Sequence, residues 1–90
     1  MISSCSKNPH ERICKEMYGV MKDCFYANTF DKKVPCDALS NLAYKTALKE
    51  GKIESVASKF ENACYTGCTK YKMKLKLSNY DEFKKTFCNF

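Results

Sequence analysis

Apolar side chains recur at three- and four-residue spacing over most of this chain. Ile13, Met17, Val20, Met21, Cys24 and Phe25 share one helical face, and Lys15, Glu16, Lys22 and Asp23 occupy the other. Asn8 as a cap, Pro9 in the first turn and Glu11 three residues on mark the start, so the pattern predicts an amphipathic helix over residues 9–26. Residues 27–35 read as a loop with Asp31, Lys32 and Lys33 at its tip. A second helix follows Pro35, with Leu39, Leu42, Ala43, Thr46 and Ala47 as its stripe and Gly51 as its stop. The third carries Ile53, Val56, Ala57, Phe60, Cys64 and Cys68, and Gly67 weakens its last turn. Ser78-Asn79-Tyr80-Asp81 is a capping pattern that opens a fourth helix, with Tyr80, Phe83, Phe87 and Cys88 turned inward.

Between the third and fourth helices the period changes. Residues 70–77 alternate strictly between lysine and Tyr71, Met73, Leu75 and Leu77, which is a strand-like pattern. A lone strand has no partner here. An extended connector pressing those four apolar residues on the core fits the pattern, and so does a fraying continuation of the third helix. The expected fold is all-α: a compact bundle of about four short helices, one domain spanning residues 1–90, stapled by three disulfides.

Composition supports the staples. Ninety residues bury too little surface for the core to suffice unaided, and seven cysteines supply the remedy. There is no Cys-x-x-Cys knuckle and the single histidine, His10, stands far from the close cysteine pair, so metal is a poor explanation and oxidation outside the cell a better one. No apolar run reaches the roughly 18 residues of a membrane span. The opening Met1-Ile2-Ser3-Ser4-Cys5 lacks the basic start and apolar stretch of a signal peptide, so the chain reads as a mature form. The expected location is extracellular.

Helix geometry narrows the pairing of Cys5, Cys14, Cys24, Cys36, Cys64, Cys68 and Cys88. Cys64 and Cys68 lie one turn apart on one face, where they stack without facing each other, so each reaches a different element. Antiparallel second and third helices bring Cys36 to Cys68. A fourth helix folding back on the third brings Cys88 toward the early part of the first, and so to Cys14. Cys24 and Cys64 then pair, and Cys5 is the odd thiol. Each bridge contributes about 2–4 kcal/mol, mainly by restricting the unfolded chain.

Cys36, 27 intervening residues and Cys64-x-x-x-Cys68 resemble the opening cysteine spacing of insect odorant-binding proteins and their salivary relatives. That resemblance also implies a Cys36–Cys68 bond, over about a third of the chain. The sequence departs from that family by ending at Phe90, before the later cysteines that complete its ligand cavity. Cys14-x9-Cys24 looks like one half of the twin motif of mitochondrial intermembrane-space proteins, whose other half is absent. In size, charge and cysteine density the chain resembles the small helical, lysine-rich salivary proteins of blood-feeding arthropods, of the sand-fly complement-inhibitor type. That likeness implies an agent that binds and disables a host plasma protein.

An enzyme is hard to assemble from these residues. His10 reads as an exposed first-turn side chain, there is no second histidine for paired acid–base work, and no nucleophile elbow or glycine-rich phosphate loop occurs. No cofactor is expected. Net charge is +6, and fifteen of the sixteen basic residues are lysine. Lysine attracts anions through the long-range field but lacks the bidentate fork of arginine, which argues against nucleic acid as the specific partner. Lys70, Lys72, Lys74, Lys76, Lys84 and Lys85 form the densest basic stretch, opposed only by Asp81 and Glu82. They are the candidate partner-binding residues, with Phe30 as an exposed anchor. The expected function is inhibition of a host complement or coagulation component through this basic surface. An anionic polysaccharide is a second partner class, a carrier of a small hydrophobic ligand is the runner-up function, and action on a channel or membrane is a third.

Overall fold

Four α-helices account for most of the chain: α1 Pro9–Phe30, α2 Cys36–Lys49, α3 Glu54–Lys72 and α4 Tyr80–Phe87. The computed structural model describes residues 9–30 and 33–88. The sequence-predicted Asn8 cap and odd thiol Cys5 lie outside those residues, as do Asp31, Lys32 and Phe90.

The third helix is central. It packs along both α1 and α2, which meet each other at few positions, and α4 rests on α1. Ala57, Phe60, Ala63, Cys64, Gly67 and Cys68 are its buried face. Ala57, Phe60 and Ala63 join Cys14, Met17 and Met21 of α1, Ala47 of α2 and Phe83 of α4 in one core cluster, and the four cysteines of the α1–α3 and α2–α3 bridges form a second. Small residues on α3 let its neighbours approach closely. A Cβ added at Gly67 would stand 2.1 Å from the Met21 carbonyl oxygen. The glycine that a sequence reading treats as a weak point therefore marks the helix crossing, and α3 continues past it to Lys72.

Three bridges tie every helix to another. Cys24–Cys64 joins α1 to α3, Cys36–Cys68 joins α2 to α3, and Cys14–Cys88 joins α1 to the end of α4. The connectivity matches the expected one. Its route differs in one respect, because α4 folds back mainly on α1 and only marginally on α3. Tyr18 donates its hydroxyl to the Ser78 carbonyl (2.8 Å) and meets Tyr80 and Phe83 at ring-centroid distances of 5.6 and 5.3 Å. These contacts, with the Cys14 bridge, run α4 antiparallel to α1. Cys24 opposite Cys64 and Asn28 opposite Cys68 give α1 and α3 a parallel course, so both helices terminate at one end of the bundle.

Helix α1 outruns the predicted end at residue 26 and occupies four residues of the expected loop. Asn28 explains the extension. Its side chain is fully buried, donates Nδ2 to the Cys24 carbonyl at 3.1 Å, and lies 3.6 Å from Cys68 Sγ. Packing against the bridges overrides the loop-like composition of Asn28-Thr29.

The helix ends on α2 and α3 share one solution. After Lys49 the Gly51 amide bonds to Leu48 and the Lys52 amide to Ala47, with Gly51 at φ 93°. After Lys72 the Lys74 amide bonds to Tyr71 and the Leu75 amide to Lys70, with Lys74 at φ 61°. Both are Schellman closures, the second made by a lysine in the left-handed region. The alternating segment thus divides into a last helical turn and an irregular connector. Tyr71 and Leu77 are half-buried, whereas Met73 and Leu75 are exposed and not pressed on the core. Asn79 caps α4 with a reciprocal box: its side chain accepts from the Glu82 amide, and the Glu82 carboxylate accepts from the Asn79 amide.

Candidate functional site

The shared end of α1 and α3 gathers the aromatic and basic residues into one surface. Phe25 meets Tyr26 at 5.0 Å and Tyr71 at 5.2 Å, both edge-on, which joins the last turns of the two helices. Five residues on, roughly 7 Å farther along the α1 axis, Phe30 stands 92% exposed. The end of α3 and the connector after it supply Lys72, Met73, Lys74, Leu75 and Lys76, all exposed. Tyr71, Lys72, Lys74 and Leu75 line an open depression of about 510 Å³. Lysines at a helix C-terminus also complement its dipole, so this cluster stabilises α3 as well as charging the surface.

Lys70 takes a different place. It is half-buried, and its Nζ donates to Ser78 Oγ at 2.6 Å, fastening the connector to α3. Lys84 and Lys85 are exposed in the last turn of α4, where with Asp81 and Cys88 they line a second depression of about 590 Å³. Cys88 is bonded to Cys14, eleven positions before Phe25, which separates the two areas by roughly 16 Å along α1. The structure therefore places Lys72, Lys74 and Lys76 at the same end of the bundle as Phe30 and sets Lys84 and Lys85 apart from them.

A third feature was not apparent from sequence. Because α1 and α2 diverge above α3, Val20, Cys24, Leu39, Leu42, Ala43, Ala47 and Phe60 line a shallow trough of about 230 Å³, with Asp23 and Glu50 at its edge. Leu42 and Thr46, placed on the inward stripe of α2 by periodicity, are exposed here. The signal was present in the residue sizes: α2 offers alanines and a threonine where a core helix would carry larger groups. At the far end of the trough Lys52 bonds Glu16 at 3.3 Å and Glu50 at 3.5 Å, and its Nζ lies 5.4 Å from the Phe60 ring, pinning the α2–α3 turn against α1.

His10 is exposed in the first turn of α1, and among the described residues no group of three or more His, Cys, Asp and Glu is arranged to hold a metal. Tyr80 is the group with a displaced titration: burial raises its pKa, with Glu11 and Asp81 adding to the effect. Its hydroxyl is buried without a hydrogen-bond partner among the described residues. Among the described residues, no helix is long and apolar enough to cross a membrane. Comparison with protein families, with curated proteins and with solved structures yields no match to this chain.

Proposed function

We propose that the protein is an extracellular binding protein that inhibits an acidic host protein, acting through the lysine surface at the end of α3. The observation that carries this reading is the grouping of Lys72, Lys74 and Lys76 beside exposed aromatic and apolar side chains on a frame fixed by three disulfides. The bridges suit an oxidising compartment. A rigid frame limits the entropy lost on association, and a net charge of +6 accelerates encounter with a negatively charged partner. A plasma protein of the complement or coagulation cascade is the partner class that the likeness to arthropod salivary proteins implies. Inhibition then works by occlusion of the partner's own binding face.

The deciding experiment combines capture from host plasma with complement-lysis and clotting assays, at low and physiological salt. Oxidised protein should retain one component and slow its cascade, while reduced and alkylated protein does neither. Charge reversal by Lys72→Glu with Lys74→Glu should abolish both effects. Inhibition that survives this double reversal sinks the surface assignment.

The carrier reading has less support. The depressions of about 510 and 590 Å³ are open and lined in part by lysines, and the more apolar trough, about 230 Å³, is short of the ~300 Å³ at which pockets for drug-sized ligands begin.

A further inference from the structure

The end of the bundle that carries the lysines also carries an unusual amount of exposed apolar surface. Phe30 and Met73 are 92% and 67% exposed, and Tyr26 and Leu75 about half. These lie near or just beyond the C-terminal ends of two parallel helices joined through Phe25 and Tyr71, so they belong to one end of the molecule. Lys33, Lys72, Lys74 and Lys76 are exposed at or near the same helix ends, and Asp37 in the first turn of α2 is an exposed carboxylate at this end.

Two kinds of occupant could meet such a surface. The centres of protein interfaces favour aromatic residues and arginine and are depleted in lysine. A lipid headgroup layer has the opposite preference: aliphatic and aromatic side chains enter the acyl boundary while flexible lysines remain at the phosphates. The apolar apex of Phe30, Met73 and Leu75 flanked by lysine fits the second, and the same lysines can still meet an acidic protein at the polar rim of a contact. Accordingly we infer that the α1/α3 end docks on anionic membrane surfaces, with Phe30, Met73 and Leu75 entering the interface and Lys72, Lys74 and Lys76 holding the acidic headgroups. The docking is peripheral. It goes beyond inhibition of a plasma protein and does not depend on it, since it is measured with lipid alone.

The chain contains no tryptophan, so Phe30→Trp introduces a single reporter at the apex. Its emission should shift to the blue on vesicles of phosphatidylcholine containing about one-third phosphatidylserine, and not on phosphatidylcholine alone. Each lysine-to-glutamine change at 72, 74 or 76 should weaken the association about fivefold, and added salt should weaken it further. Met73→Ser with Leu75→Ser should reduce it at unchanged circular dichroism and disulfide mass. A Leu42→Trp reporter on α2 should stay unshifted. The inference is overturned if Phe30→Trp does not shift, if the Leu42 reporter shifts equally, or if the serine pair has no effect on vesicle binding. It is equally overturned if the serine pair abolishes plasma-protein capture while the parent protein ignores vesicles, an outcome that gives the patch to a protein partner.

Discussion

Gly67 stands where α1 and α3 come closest, and the neighbour of its missing side chain is the backbone of Met21, which cannot swing aside. Gly67→Ala gains helix propensity of about 1 kcal/mol but forces the helices apart. Overpacking of this kind costs about 1–3 kcal/mol and more where backbone must move. The net change should lower the midpoint of thermal unfolding, read by circular dichroism; an unchanged or raised midpoint would refute the close crossing. Tyr80 makes a different case. Its buried hydroxyl lacks a partner among the described residues, so Tyr80→Phe should be neutral or stabilising by about 1 kcal/mol. Because burial and the neighbouring carboxylates raise its folded pKa, the unfolded chain releases the phenolic proton first. The contribution is therefore complete below about pH 10 and is lost as pH climbs from there through the raised folded value. Denaturant titrations from pH 9 to 11.5 should show a shallower alkaline decline in the Phe variant, and parallel curves would contradict the assignment. Neither role was legible beforehand. Glycine in a helical pattern reads as weakness, and a tyrosine at an inward position gives no sign of where its hydroxyl ends.

At the scale of elements, periodicity and punctuation located all four helices, and the misplaced boundaries have separate physical causes. Gly51 was read as a stop because glycine accepts the left-handed conformation without strain, and it closes α2 as expected. The end of α3 carries no such mark, since a lysine occupies the same conformational position. That choice has a measurable cost. Lys74→Gly should stabilise the protein by about 0.5–1 kcal/mol, the relief of a side chain at positive φ less the added freedom of the unfolded chain. Lys74→Ala removes the same charge without relieving the backbone, so the difference between the two variants in urea unfolding isolates the helix end. Equal stabilities for both would exclude the strain. The other misplaced boundary, at the end of α1, arose because Asn28 finds its partners only after α3 and the bridges are in place.

For the whole molecule, the cysteine pairing was readable because two cysteines one turn apart on a central helix must serve two different neighbours. That constraint survives the error over which helix α4 rests on. The candidate surface was readable only in part. Charge density singled out Lys70–Lys76 and Lys84-Lys85, but their division between two areas depends on the direction in which α4 returns along α1, which no local pattern encodes. The same geometry orders the staples. Cys24–Cys64 and Cys36–Cys68 are buried where all three long helices converge, while Cys14–Cys88 secures an eight-residue helix that packs mainly on α1. A helix so short is marginal without tertiary support, so α4 opens at lower free energy than the remainder and presents its sulfurs first. Limited reduction under native conditions, followed by alkylation and mass mapping, should label Cys14 and Cys88 ahead of the other four while α1–α3 keep their circular dichroism. Full reduction removes about 2–4 kcal/mol per bridge, a sum comparable to the entire stability of a domain this small, and should unfold the chain at 37 °C. If all six bridged cysteines become labelled together, α4 unfolds only with the core, and the two basic areas are held in one rigid arrangement.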